Sequence, residues 1–230
     1  MKMAHKLSVI IPVYNENRTI SELIGQVKEV SFPKEIIVVD DHSTDGTETW
    51  LKGLKDPEIT VLFHDQNLGK GAGVRTALAC VTGDIVLIQD ADLEYSPKDY
   101  PELLKPILEG NADVVYGSRF LGGPHRVLFF WHYLANSFFT FLTNLFYDIN
   151  LSDMGTGYKV FKTEVLKDFN LKSNRFGFEP EVTAKVCKRR LRIYEVPITY
   201  HGRTYAEGKK ITWRDGVVYF WCLLKFRFID

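Results

Sequence analysis

The sequence predicts one α/β domain: a mostly parallel central sheet flanked by helices, with amphipathic aromatic helices in the C-terminal half. Three observations carry this expectation. Short, almost wholly apolar runs such as Leu7 to Val13 (LSVIIPV) read as strands covered on both faces. Segments of helical period separate them in regular alternation, as parallel strands joined by crossovers require. Polar residues cluster just after the runs, where open α/β sheets bind ligands. At 230 residues the chain suffices for one sizeable core and not for two.

Along the chain, Leu7 to Val13 is the first strand. Thr19 and Glu22 have the spacing of a capping box, opening a helix that puts Ile20, Leu23, Ile24 and Val27 on one face. Glu35 to Val39 is a strand, Thr44 to Leu54 a helix, Thr60 to Phe63 a strand, Gly71 to Val81 a helix and Asp84 to Gln89 a strand. Asp113 to Tyr116 is a further strand, after which the rhythm breaks. Val127 to Ile149 is rich in aromatic residues but interrupted by His132, Asn136, Asn144 and Asp148. It is a poor membrane span and reads either as a helix lying on a surface or as a buried core helix. Gly157 to Phe161, a helix at about Glu179 to Arg190 and Arg192 to Val196 follow. In the last segment, Ile211 to Phe228, helical spacing aligns Trp213, Val217, Phe220, Trp221, Leu224 and Phe228, with Arg214, Lys225 and Arg227 at the border. That face would dock on a membrane, pack on the domain or form a homo-oligomer. Residues 1–118 are expected to hold the donor and residues 119–230 to build the acceptor side.

Composition narrows the function. Apolar residues at 45% and charged residues at 25% exclude extensive disorder. Twenty-nine basic and 29 acidic residues cancel, so no overall field attracts nucleic acid and an anionic partner must be held by a local cluster. Cys80, Cys187 and Cys222 are odd in number and far apart, which indicates neither a disulfide framework nor a zinc site and fits a reducing compartment. The N-terminus runs straight into the first strand without the regions of a signal peptide, so a cytoplasmic location is expected.

The residues after the strands carry the chemistry. Strand one leads into Pro12-Val13-Tyr14-Asn15-Glu16, the second into Asp40-Asp41, and the strand at 84–89 into Asp90-Ala91-Asp92-Leu93-Glu94. Their carboxylates would converge on one crevice. Asp-x-Asp after a buried strand offers hard oxygens to Mg²⁺ or Mn²⁺, with Asp92 and Glu94 as the ligands, and such an ion can bridge a diphosphate. The competing reading is that Asp40, Asp90 and Asp92 form turns or cap helices. Asp40 would otherwise bond a base or ribose, and Tyr14 would stack near the base or simply pack. No GxxxxGK[ST] is present, which excludes a P-loop, and no GxGxxG follows the first strand. Gly69-Lys70-Gly71-Ala72-Gly73 reads as a glycine-rich helix start, with Lys70 near a diphosphate.

Together with Val39-Asp40-Asp41, Ser43, Asp45-Gly46, Asn67-Leu68-Gly69-Lys70-Gly71 and Gly117-Ser118-Arg119, these motifs resemble the family 2 glycosyltransferases of GT-A, Rossmann-like fold. Within that family the chain is most similar to the branch of dolichyl-phosphate mannose synthases and polyprenyl-phosphate glycosyltransferases. The resemblance implies that Pro12, Tyr14, Glu16, Asp40, Asp90 and Ala91 hold the nucleotide of a donor such as GDP-mannose or UDP-glucose. It implies that Asp92 and Glu94 bind the metal, although many relatives carry Gln at the latter position. It also places Arg119, Arg126, Arg203 and Lys209 on donor and acceptor phosphates. Asp153, in Ser152-Asp153-Met154-Gly155-Thr156-Gly157, falls where the branch shapes the sugar side, or forms a plain turn. Glu179 and Glu181 would touch the donor sugar or begin a helix. The family's membrane-embedded C-terminal helices have no counterpart here, so a peripheral membrane contact is expected.

Elementary chemistry agrees. A sugar hydroxyl needs a general base, and the Gln-x-x-Arg-Trp motif of polymer-forming relatives does not occur. A phosphate monoester, with a second pKa of about 6, attacks as a dianion without one. It needs cations to approach an anionic donor, and arginine suits forked phosphate contacts. Transfer to a saccharide or protein hydroxyl, and a non-catalytic module that senses nucleotide-sugar, are the alternatives. The loop 198–210, with Gly202 and Gly208 as hinges, would close over the donor.

Overall fold

The computed structural model describes residues 5–122, 125–127, 129–204 and 213–229. Among these residues seven strands form one sheet: β1 (Leu7–Val13), β2 (Lys34–Asp40), β3 (Ile59–Phe63), β4 (Ile85–Ile88), β5 (Val114–Ser118), β6 (Lys159–Lys162) and β7 (Ile193–Pro197). Their order is β3-β2-β1-β4-β6-β5-β7. β6 runs antiparallel to both β4 and β5, and the other neighbours are parallel. The helices are α1 (Ile20–Glu29), α2 (Thr47–Gly53), α3 (Lys70–Leu78), α4 (Tyr100–Leu108), α5 (Phe130–Tyr147), α6 (Thr163–Lys167), α7 (Phe178–Lys188) and α8 (Trp213–Phe228).

Alternation along each strand sends successive side chains to opposite faces. Leu7, Val9, Ile11 and Val13 of β1 join a core with Leu23 and Val27 of α1, Leu51 of α2 and Leu103 and Ile107 of α4. Ile10 instead meets Val74 and Ala77 of α3, Leu166 of α6, Val182 and Val186 of α7 and Leu223 of α8. The sheet is thus covered on both sides, as its uninterrupted apolar runs require.

Some local expectations change. The Thr19–Glu22 capping box does not form: the Thr19 side chain makes no cap hydrogen bond, and its hydroxyl donates to the Ala91 carbonyl at 2.8 Å. α2 begins at Thr47 rather than Thr44, since Gly46 precedes it in a left-handed conformation (φ 99°). α5 is a surface helix. Thr140 and Thr143 are its buried residues, while Phe130, Trp131, Phe141 and Leu145 are more than 60% exposed. On α8 the buried stripe is Cys222, Leu223 and Phe226, whereas Val217, Phe220, Trp221 and Phe228 of the expected face stay more than 40% exposed. No described helix is long and apolar enough to cross a membrane.

Candidate active site

β1, β2 and β4 end on the same side of the sheet, and one crevice of about 1440 Å³ opens beyond them. Glu16, Asp41, Asp90, Asp92 and Glu94 line it. Pro12 lies on its wall, Tyr14 is exposed at 38%, and Ala91 is buried, anchored by Thr19. The expected convergence of carboxylates is present, with one exchange. Asp40 is fully buried and does not line the crevice; one carboxylate oxygen accepts from the Ser43 amide and the other, Oδ1, has no hydrogen-bond partner. Its neighbour Asp41 faces the crevice instead. It accepts from the Leu68 and Gly69 amides at 2.8 and 2.7 Å and pairs with His64, so it shapes the turn into α3.

Asp92 and Glu94 are brought together by an unusual backbone. Leu93 between them has φ 60°, a conformation that carries a penalty of roughly 1–2 kcal/mol for a residue with a side chain and is typical of functional sites. The Glu94 amide donates to Asp92 Oδ1 at 3.1 Å, completing the turn. Burial, and then the charges of Asp90 and Glu94, push the Asp92 carboxyl up to about 7 against the pull of Arg203.

Arg203 answers this charge. Its guanidinium lies 3.1 Å from both Glu16 oxygens and from Asp92 Oδ2, and Nε is 3.6 Å from Glu94 Oε1. The Arg203 amide and the Tyr200 hydroxyl each donate to Glu94 at 2.8 Å. Lys70 sits deeper, 2.6 Å from Asp90 and 3.0 Å from Glu179. Burial alone would lower its proton affinity, but the two carboxylates hold it above the ordinary lysine value. Glu179 keeps Oε2 buried without a partner.

Arg119 lines the crevice, yet its fork is engaged: Nε and Nη2 lie 2.7 and 2.8 Å from the two oxygens of the fully buried Asp153. Asp153 therefore serves Arg119, Asn136 and the Arg119 amide rather than facing the crevice. Arg126 lies off the crevice lining and donates to the Gly202 carbonyl at 3.3 Å, bracing the 200–203 segment. Residues 205–210 of the 198–210 loop, Lys209 among them, lie outside the described residues. Glu181 is fully buried in the first turns of α7 and accepts from the Lys172 and Ser173 amides, tying down the segment ahead of the helix.

Sequence reasoning missed several participants. Tyr95 packs with tilted rings against Tyr158 and Tyr200 and accepts from the Gly157 amide at 2.9 Å. Arg175 and Phe176 close one wall. Lys159 is fully buried on β6 and donates to the Met154 and Thr156 carbonyls, holding the turn beside the crevice. Burial pushes its ammonium down to about 8. Only Tyr95, adjoining the acidic motif, carried a positional signal. α5 and α8 also line the crevice, through Trp131, Ala135, Phe138, Phe139, Val217 and Phe220.

Solved structures identify the class of fold. Glucosyl-3-phosphoglycerate synthase from Mycobacterium tuberculosis, crystallised with Mn²⁺, UDP-glucose and phosphoglyceric acid, matches 98% of this chain and 81% of its own at TM-score 0.75 and 23% identity. The fold is GT-A. The model of glycosyl transferase family 2 matches residues 8–169. Among curated relatives, an undecaprenyl-phosphate mannosyltransferase of Micrococcus luteus is 30% identical over 89% of this chain and 87% of its own length. A low-salt glycan biosynthesis hexosyltransferase of Haloferax volcanii is 31% identical over 87% of this chain and 49% of its own. The chain belongs to glycosyl transferase family 2 and is a glycosyltransferase.

Proposed function

We propose that this glycosyltransferase moves a hexose, with inversion, from a nucleoside diphosphate sugar to a polyprenyl phosphate. The observation that carries the acceptor is the lining of the crevice. Asp90, Asp92, Lys70 and Arg203 share it with apolar side chains of α5 and α8, so one cavity suits a phosphate joined to a hydrocarbon chain. The mannosyltransferase of Micrococcus luteus, named for an undecaprenyl-phosphate acceptor, supports the same class. The outward aromatic residues of α5 and α8 support a peripheral membrane contact there.

In this reading an acceptor phosphate oxygen forms the new bond to the anomeric carbon while the bond to the donor diphosphate breaks, and the nucleoside diphosphate departs with that electron pair. No general base is needed, because the phosphate is already a dianion near neutral pH. The donor nucleotide lies along Pro12, Tyr14, Glu16 and Asp41, with the unpartnered oxygen of Asp40 beneath. Asp92 and Glu94 would hold the divalent cation. The three carboxylates that converge on the Arg203 guanidinium are hard oxygen donors, although among the described residues no three ligating side chains already stand close enough to hold an ion together. Bound there, Mg²⁺ or Mn²⁺ would offset the charge of the diphosphate. Mn²⁺ in the synthase of the same fold supports this choice. Lys70, held by Asp90 and Glu179, adds a fixed positive charge.

The test is transfer from GDP- and UDP-sugars to a short polyprenyl phosphate, with Mn²⁺ or Mg²⁺. One donor should give metal-dependent lipid product, and Asp92→Ala should lower the rate at least 100-fold. Transfer to phosphoglyceric acid or to a saccharide, with no lipid product, would overturn the acceptor assignment.

A further inference from the structure

Arg203 lies among the carboxylates proposed to hold the metal ion. Its guanidinium contacts Glu16 through both terminal nitrogens and Asp92 through one, each at 3.1 Å, with Nε beside Glu94. The side chain is 17% exposed and Nε has no hydrogen-bond partner, so this is a packed arrangement rather than a loose surface pair. A divalent cation bonds carboxylate oxygens at about 2.0–2.6 Å. It cannot take Asp92 and its neighbours while the guanidinium spans them at hydrogen-bond distance. Metal entry therefore requires Arg203 to leave, and an arginine leaving three carboxylates needs another anion. The donor supplies one: a diphosphate matches the guanidinium fork.

We infer that Arg203 is a built-in counter-ion of the metal site, and that it makes binding of the divalent cation and of the nucleotide diphosphate mutually dependent. Metal alone must displace Arg203 with no anion to receive it. Metal with a nucleoside diphosphate exchanges partners, the guanidinium passing from carboxylates to phosphate as the ion takes the carboxylates. Coupling of this kind is reciprocal, so the nucleotide tightens the metal by the same factor as the metal tightens the nucleotide. This inference rests on the proposal that Asp92 and Glu94 are the metal's ligands.

The experiment is Mn²⁺ binding to the whole protein, read from the electron paramagnetic resonance signal of free Mn²⁺, with no nucleotide and with saturating UDP or GDP. Arg203→Gln should tighten Mn²⁺ binding without nucleotide by tenfold or more and shrink the gain from nucleotide by a similar factor. Arg203→Lys keeps a charge but not the fork; it should tighten nucleotide-free binding about threefold and keeps the question open to test if the glutamine variant does not fold. Nucleotide-free affinity equal to or weaker than wild type in these variants would overturn the inference. Asp92→Asn separates the two claims. If it abolishes Mn²⁺ binding in the presence of nucleotide while Arg203→Gln matches wild type, the counter-ion role alone falls. If Arg203→Gln tightens binding and adding Asp92→Asn leaves that gain intact, the ion sits elsewhere and the ligand assignment falls, with the inference built on it.

Discussion

Two nitrogens of Arg119 meet the two oxygens of Asp153, and the amide of Arg119 adds a third contact to the same carboxylate. With Asp153 fully buried, removing Arg119 strands its charge away from water, which costs about 3–5 kcal/mol. Arg119→Met should lose stability of that order in urea unfolding, and Arg119→Lys, which keeps the charge but not the fork, should lose less. The sequence supplied both residues but not their relation: Gly117-Ser118-Arg119 pointed to phosphate, and Asp153 to a sugar hydroxyl. Nothing in one chain's spacing reveals that residues 34 positions apart will neutralise each other. The acidic cluster was legible, since Glu16, Asp90, Asp92 and Glu94 each follow an unmistakable strand. The choice between Asp40 and Asp41 was not, because neighbouring residues leaving a strand point to opposite sides and the backbone decides which one faces the ligand.

Helices with strong periodicity were legible, and so was α7 despite Pro180, but α4, with two prolines, was not. α4 carries Pro101 in its first turn and Pro106 inside; either reads as a breaker, although the first turn needs no amide donor. α4 nonetheless buries Tyr100, Leu103, Leu104 and Ile107, and this packing outweighs the lost hydrogen bond. α6, at five residues, is too short to show a period. α5 and α8 were found, but their orientation depended on contacts no pattern reveals: Phe139 packs on Tyr219 with ring centroids 5.4 Å apart, which turns the remaining aromatic residues outward. Phe141, Leu145 and Trp221 are each more than 60% exposed and do not line the crevice. Replacing all three by serine should reduce co-sedimentation with anionic phospholipid vesicles about tenfold or more, while binding of UDP or GDP stays as in wild type. Unchanged sedimentation would remove α5 and α8 as a membrane contact.

Across the whole molecule, one side chain clamps the centre of the sheet. Glu35 on β2 accepts from Ser8 of β1, from Lys6 and from the amide and hydroxyl of Thr82 ahead of β4. Burial pulls its pKa up, but the hydrogen bonds from Lys6, Ser8 and Thr82 outweigh it and bring the carboxyl down from 4.5 to about 2. A group depressed on folding stabilises fully above its unfolded pKa and loses that contribution as pH falls through the folded one. Because solvent screens a partly exposed group, the effect is on the order of 1 kcal/mol. Glu35→Gln should thus lower unfolding free energy by about that amount at pH 7, with the difference from wild type fading between pH 4.5 and 2. The sheet that Glu35 fastens is shared by both halves of the chain, since β6, from the second half, separates β4 from β5. On the ribosome the order of synthesis runs against that arrangement. Residues 119–158 lie between β5 and β6, and at roughly 5–20 residues per second the nascent chain waits seconds for the strand that closes its middle. Until then β4, an apolar run of Ile85, Val86, Leu87 and Ile88, and β5, which only β6 will join to it, each present an open edge of the kind that pairs with foreign strands. A polypeptide released before Lys159 would carry those edges permanently, so translation that stops short leaves an aggregation-prone fragment rather than a free donor-binding half.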